Sequence, residues 1–111
     1  MKYFTALYAM PVQGLNEWMQ KPEAERKAAE DKMKADWDAW LASHKASVLN
    51  TIALGKTKRV TSGGIEDARN GLMLSSYVTA ESLEAAAEIF KDHPHLGIPG
   101  ATIEILETRE L

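Results

Sequence analysis

One stretch, from Gly71 to Leu106, most constrains how this chain can fold, because it contains a strand, a helix, a stop and a second strand in close succession. Leu72–Thr79 is a short apolar run that predicts a buried strand. The helix after it must end before Pro94, because proline lacks an N–H and excludes the preceding residue from helical backbone angles. Polar and apolar residues alternate over Thr102–Ile105, which predicts a strand with one solvent-exposed face. The apolar side of the helix is predicted to carry Leu83, Ala86, Ala87 and Phe90.

The composition is that of a soluble globular protein, with 111 residues, 45% apolar and 26% charged, and we expect a single domain over residues 1–111. The net charge of −3 creates no field that attracts nucleic acid or anionic lipid, so neither nucleic acid nor a membrane is an expected partner. The absence of cysteine excludes disulfides, thiolate catalysis and cysteine-based zinc sites. The first ten residues do not resemble a signal peptide, and no apolar run reaches the roughly 18 residues of a spanning helix. We therefore expect a cytoplasmic protein.

The N-terminal half predicts a strand followed by a long helix. Lys2–Met10 carries apolar residues on both faces, which is typical of a central strand covered on both sides. Leu15–Gln20 is predicted to form one loose turn. A helix is predicted from Pro22 to about Lys45, since proline is tolerated at the first helical position. Its buried stripe is predicted to comprise Ala29, Met33, Trp37, Trp40, Leu41 and His44.

The middle of the chain predicts one edge strand and two turns. Val48–Thr61 is interpreted as a single strand interrupted at Gly55. Ser62–Gly64 and Asn70–Gly71 carry turn residues, and Ile65–Arg69 is predicted to be a short polar connection between them. The resulting order, βαββαβ on one antiparallel sheet, predicts a ferredoxin-like α+β sandwich. Its helices would cover one face only, so we expect a second copy to cover the other face in a homodimer.

Three segments of the sequence resemble the YCII-related small proteins, whose relatives include the DGPF group. The segments are MKYFTALY, LGKTKRVTSGGIEDARNGLMLSSYVTAESLEAAAEIF and DHPHLGIPGATIEILE. The DGPF tetrapeptide itself is absent, and Gly63-Gly64-Ile65-Glu66 stands in that region, so no role of that motif is carried over. The resemblance implies a dimeric α/β barrel of two ferredoxin-like sheets and implies no specific reaction.

Three connections are predicted to meet at one end of the sheet, namely Pro11–Lys21, Ser62–Asn70 and His93–Gly100. There His93 is the candidate catalytic residue, because a nearby carboxylate would raise its pKa and fix its tautomer for acid–base work. His93 also coincides with the His-Pro stop of the family that the chain resembles. The candidate ligand-binding residues at the same end are Trp18, Asp67, Arg69 and His95.

Each of these candidates has a structural alternative. His93 ends a predicted helix, where an imidazole can cap the last carbonyls. His93 and His95 lack a third ligand at a recognisable spacing, so neither a metal site nor a cofactor is predicted. Lys56, Lys58 and Arg59 could bind an anionic ligand, but the more common role of such a cluster is to discourage pairing at an edge strand.

Three functional hypotheses follow. The first is a small dimeric enzyme that acts on a small metabolite, with His93 as its acid–base group. The second is a non-catalytic module that binds a small molecule, and the third is an interaction or structural role without a ligand. A buried histidine–carboxylate contact opening into a partly apolar pocket would favour the enzyme. The same pocket without such a contact would favour the binding module, and a filled space between two sheets would favour the third hypothesis.

Overall fold

The computed structural model describes residues 1–111 and has a four-stranded antiparallel sheet with the strand order β2-β5-β1-β6. The elements are β1 (Lys2–Ala9), α1 (Val12–Met19), α2 (Glu23–Ser43), β2 (Val48–Ala53), β3 (Thr57–Thr61), β4 (Gly64–Ala68), β5 (Leu72–Ala80), α3 (Leu83–Ile89), a 3-10 helix (Pro94–Gly97) and β6 (Thr102–Glu107). Leaving aside α1 and the β3–β4 hairpin, the chain follows βαββαβ on one sheet. The ferredoxin-like α+β fold predicted from the sequence is therefore confirmed.

The two central strands explain why apolar residues occupy both faces of the first segment. β1 pairs with β5 over its whole length, from Lys2 opposite Ala80 to Ala9 opposite Leu72. Alternate β1 side chains point toward the helices and are buried in the core, whereas the intervening ones lie on the other side of the sheet. We call that second side the open face, because no element of this chain covers it.

The long helix α2 packs on the sheet through its C-terminal half. It ends at Ser43 rather than near Lys45, and Trp40 is its one fully buried residue. Trp37 and Leu41 are half-buried against the same core, and Met33 and His44 are half-buried as well. Ala29 is exposed, so the predicted stripe is wrong at that position. Most of the N-terminal half of the helix is exposed and rich in charged residues. None of the helices combines the length and apolar character that crossing a membrane requires.

The region Val48–Thr61 is two strands and not one broken strand. β2 lies at the edge of the main sheet, while β3 leaves that sheet and pairs with β4 from Thr57 opposite Ala68 to Thr61 opposite Gly64. The predicted polar connection Ile65–Arg69 is therefore wrong, because most of it is β4. Cross-strand charge pairs on an exposed two-stranded ribbon replace the apolar alternation by which strands are usually recognised.

Two other predictions need correction. The expected loose turn at Leu15–Gln20 belongs to α1, which begins directly after Pro11. In α3 the core contacts include Ala85 and Ile89, which were not predicted, whereas the predicted Ala87 is exposed. The short helix is held at its start by Ser82, whose Oγ accepts a hydrogen bond of 3.1 Å from the N–H of Ala85.

Candidate functional site

The three connections predicted to meet at one end of the sheet do so. Arg69, which follows the hairpin, donates a hydrogen bond to Asn16 Oδ1 on α1. Gly100 lies so close to Pro11 that a Cβ atom there would be 2.8 Å from the proline Cγ. The Met10 N–H donates to the Gly71 carbonyl at 2.9 Å, and a Cβ on Gly71 would be 2.0 Å from the Met10 oxygen. Only glycine fits at position 71, so the start of β5 is fixed against the end of β1.

His93 and His95 are buried side by side, with 2% and 1% of their surfaces exposed. The backbone N–H of His95 donates to His93 Nδ1 at 2.9 Å, so Nδ1 carries no proton. His95 Nε2 lies 2.9 Å from the Ala9 carbonyl oxygen, which can only accept, so His95 Nε2 is the donor. These contacts tie the segment before β6 to the end of β1 and fix both imidazoles in place.

The His93 ring is enclosed by aromatic side chains. Its centroid lies 4.2 Å from that of Trp37, 4.4 Å from that of Trp40 and 5.2 Å from that of Tyr8. Its proton is on Nε2, and Nε2 is buried without a hydrogen-bond partner. Such an unsatisfied donor is uncommon in a folded protein and costs free energy.

The carboxylate expected beside His93 is absent. Glu66 and Asp67 lie on the hairpin, where they pair with Arg59 and Lys58 across the two strands. Burial, and secondarily the nearby His95 and His44, lower the pKa of His93 to about 4 from its ordinary value of 6.5. The prediction of a raised pKa is therefore wrong, and His93 is neutral at physiological pH.

A chain of hydroxyl groups crosses the core beside the histidines and was not foreseen from the sequence. Ser76 Oγ lies 2.7 Å from Tyr8 Oη and 2.7 Å from Thr51 Oγ1, which links β1, β5 and β2. Burial raises the pKa of Tyr8, although the bond to Ser76 opposes this. The register, with Thr51 opposite Ser76 and Ser76 opposite Ala6, brings the three groups together. The sequence gives only a weak signal for this hydrogen-bonded chain, because an isolated serine, threonine or tyrosine in a strand does not indicate which residue it will bond to.

A cleft of about 860 Å³ opens between α1, the β3–β4 hairpin and the start of β5, and we call it the hairpin cleft. This volume is within the range typical of small-molecule sites. Its apolar lining consists of Leu15, Met19, Leu54, Leu72 and Met73. Its remaining lining consists of Gly55, Lys56, Thr57, Lys58, Asp67, Ala68, Arg69 and Asn70.

The structure separates the predicted site residues into two groups. Asp67 and Arg69 line the hairpin cleft, whereas His93 and His95 are buried in the core and do not line it. Trp18 lies half-buried on α1, with Lys21 Nζ 5.7 Å from its ring, and is also outside the cleft lining. The apolar wall of the cleft was missed, because its residues come from α1, the connection after β2 and the start of β5, which are distant in sequence.

The chain has a second cavity, and it has no cluster of metal-binding side chains. A smaller cavity of about 450 Å³ lies near Lys2, Ser82 and Glu107, at the opposite end of β1 from the hairpin cleft. No group of three or more histidine, cysteine, aspartate or glutamate side chains is arranged to hold a metal ion. The hairpin cleft is larger than this second cavity and lies beside the predicted loop cluster.

Among solved structures, the fold is similar to that of 5-chloro-2-hydroxyhydroquinone dehydrochlorinase (TftG) from Burkholderia phenoliruptrix AC1100, in complex with 2,5-dihydroxybenzoquinone. The two chains are 14% identical, with a TM-score of 0.55, and the similarity covers 98% of this chain and 95% of that chain. No protein-family model and no curated protein matches the sequence. At this identity the likeness supports the fold, and function must be argued from the site.

The buried His93 predicts a specific loss of stability in acid. Because its pKa in the folded protein, about 4, lies below the ordinary 6.5, the unfolded chain binds the proton more tightly. The contribution of the neutral His93 to the free energy of unfolding is fully present above about pH 6.5 and decreases as the pH falls toward 4. By about pH 4.5 the free energy of unfolding should have fallen by about 2.5 kcal/mol for this reason. Urea unfolding of the protein and of His93→Gln, measured from about pH 7.5 to about pH 4.5, should show the variant losing less stability.

The half-buried His44 offers the matched control. His44→Gln should retain most of the pH dependence of the unmodified protein, because His93 is still present and burial, the main cause of its lowered pKa, is unchanged. Parallel curves for the unmodified protein and for His93→Gln would contradict the assignment of the acid sensitivity to His93.

Proposed function

We propose that this chain is a small-molecule-binding protein of the dimeric α/β-barrel type, with its ligand in the hairpin cleft. The observation that carries this proposal is the cleft itself, where an apolar wall of about half the lining faces lysine, arginine and asparagine side chains. Ligand sites typically combine such an apolar surface with a few polar groups that fix orientation. The lining has no histidine, and His93 has no carboxylate partner, so the geometry favours binding over acid–base catalysis.

The comparison supports a small cyclic organic molecule as the first ligand to test. TftG was solved in complex with 2,5-dihydroxybenzoquinone, and its chain and this one have similar folds over nearly their whole lengths. The resemblance of the sequence to the YCII-related proteins adds support for the assembly and none for a particular reaction. A compact ring of this kind is much smaller than the cleft, so the natural ligand can be larger.

The homodimer is part of the proposal, because the open face is unusually apolar for a monomer. Tyr3 and Tyr77 stack there, with ring centroids 5.4 Å apart and planes at 8°. Ile52 is 56% exposed and Leu106 43% exposed on the same side of the sheet. Contiguous apolar patches of this kind usually mark an interface. A two-fold axis would cover the patch on both copies with the same residues.

A second candidate function is acid–base catalysis by His93. The observation that favours it is the unpartnered Nε2–H, a buried donor that an oxygen atom of a ligand could satisfy. Reaching it would require the ring of Trp37 or Trp40 to move, since both rings pack against the imidazole.

The cleft can be filled without disturbing the fold. A Cβ at Gly55 meets no atom within 4 Å, and its backbone is not in the left-handed region, so Gly55→Leu places bulk in the cleft at little strain. We expect 2,5-dihydroxybenzoquinone to bind the unmodified protein in isothermal titration calorimetry. Gly55→Leu should weaken that binding by more than about tenfold, or about 1.4 kcal/mol.

Gly97→Leu is the matched control, because Gly97 also has free space around its Cβ position but lies outside the cleft. It should bind the quinone like the unmodified protein. Equal binding by all three proteins would place the ligand elsewhere, and absence of binding in the unmodified protein would remove the support that TftG lends.

The dimer predicts a species near twice the chain mass of 12.3 kDa in sedimentation velocity at low micromolar concentration. Ile52→Glu places a charge on the open face and should shift the protein toward the monomer, because burying an unpaired carboxylate is costly. Ala87→Glu adds the same charge on exposed α3 and should leave the dimer intact. A 12.3 kDa species in the unmodified protein would refute the barrel assembly.

The two candidate functions differ in what His93 does when the cleft is occupied. Under the binding proposal its Nε2 resonance, assigned by comparison with His93→Gln in a ¹⁵N NMR spectrum, should not change when 2,5-dihydroxybenzoquinone is added. A change in the His93 resonance alone, with the quinone bound, would favour the catalytic candidate instead.

A further inference from the structure

We propose that the hairpin cleft selects organic anions, with Lys56 and Arg69 binding the charged group and the apolar wall binding the body of the ligand. This inference rests on the proposed function, since it names the ligand class for the same cleft. It is carried by the charges of the lining, their partners and their position in the fold.

The lining contains three cationic side chains and one carboxylate. The carboxylate, Asp67, is paired with Lys58, so these two charges offset one another. Arg69 bonds to the side-chain oxygen of Asn16, which is neutral, and this uses one of the five N–H donors of its guanidinium. Lys56 pairs with no acidic side chain. Two uncompensated cations therefore remain in the cleft.

Protection of a sheet edge does not account for Lys56. The edge strand of the main sheet on this side is β2, which ends at Ala53, and Lys56 lies in the connection that follows it. Lys58 and Arg59 lie on the hairpin, where each faces an acidic residue of β4. Lys56 is thus neither along an edge strand nor part of a cross-strand pair, and its position in the cleft lining is its distinguishing feature.

The attraction for an anion must be local. The whole chain carries a net charge of −3, so its overall field does not gather anions from solution. Selection would come from direct contacts, in which Arg69 offers planar paired donors and Lys56 a mobile point charge. Such contacts suit a carboxylate, a sulfonate, a phosphate or an ionised ring hydroxyl.

The apolar wall requires that the anion be organic. Met19 and Leu72 are 59% and 39% exposed at the cleft, and they contact solvent unless something covers them. An inorganic ion would leave that surface wet and would fill little of a volume of about 860 Å³. A ligand with an apolar or aromatic body and one charged end could cover the apolar wall and contact the cationic side chains at the same time.

Two fluorescent probes of nearly the same shape test this selection. 8-Anilinonaphthalene-1-sulfonate carries one sulfonate, and N-phenyl-1-naphthylamine is its uncharged counterpart. We expect the sulfonate to bind about tenfold more tightly, and Lys56→Gln and Arg69→Gln each to weaken it by about five- to tenfold. Neither substitution should change binding of the uncharged probe by more than about twofold.

Two further variants sharpen the experiment. Arg59→Gln removes a cation from the same hairpin but outside the cleft lining, and it should leave the affinity for both probes unchanged. Asp67→Asn releases Lys58 from its partner, and it should strengthen binding of the sulfonate by about two- to fivefold, in line with the modest strength of an exposed ion pair. Gly55→Leu reports whether either probe occupies the cleft.

The outcomes separate the inference from the proposed function. If Gly55→Leu abolishes binding of both probes but the charge substitutions change neither affinity, anion selection is wrong and the binding cleft stands. If Gly55→Leu changes neither affinity, or no probe binds, the cleft is not a binding site for such molecules and both proposals fail. Selective loss of sulfonate binding in Lys56→Gln and Arg69→Gln, with Arg59→Gln unaffected, is the result that supports the inference.

Discussion

The structure depends on one packing interaction, in which Trp37 and Trp40 of α2 close over Tyr8 and His93. These four rings join the long helix, the first strand and the segment before the last strand, three parts of the chain that are far apart in sequence. Aromatic pairs in such tilted and edge-on arrangements add to the free energy gained from burial alone. Because the histidine is neutral, it can be enclosed by the rings without the cost of burying a charge. Its Nδ1 accepts a hydrogen bond from the backbone N–H of His95, whereas its Nε2 has no partner.

The sandwich could be predicted from the sequence because the spacing of apolar residues indicates its strands and helices. β1, β5 and β6 alternate or run apolar, and Pro94 stops the chain after α3, so strand order and antiparallel pairing followed from general rules. The hairpin was missed for a physical reason. Its side chains are mostly polar and exposed on both faces, so its stability comes from backbone pairing, cross-strand charges and Gly64, whose φ of 135° few other residues adopt.

The candidate site was only partly predictable. That three connections meet at one end follows from topology, and Asp67 and Arg69 line the cleft there, while their role in binding stays a prediction. What topology could not supply is the direction of each side chain. The side chains of His93 and His95 were expected to point toward the hairpin, but they point into the core under α2. A histidine next to a helix end gives no sequence signal that distinguishes these two directions, since an imidazole occurs both in solvent and in aromatic cores.

The hairpin cleft lies between the parts of the chain that were least predictable, α1 and the β3–β4 hairpin, and this affects how binding would act. A two-stranded ribbon is marginally stable by itself in water. Here a side-chain bond from Arg69 to Asn16 links its base to α1. A ligand that contacts both walls would add further links, and any molecule that binds the folded arrangement alone stabilises it. Ligand affinity and the stability of the hairpin are then two measures of the same contacts. If the cleft binds a ligand as proposed, substitutions in the hairpin would change that ligand while leaving the aromatic core, which lies outside the cleft lining, unchanged.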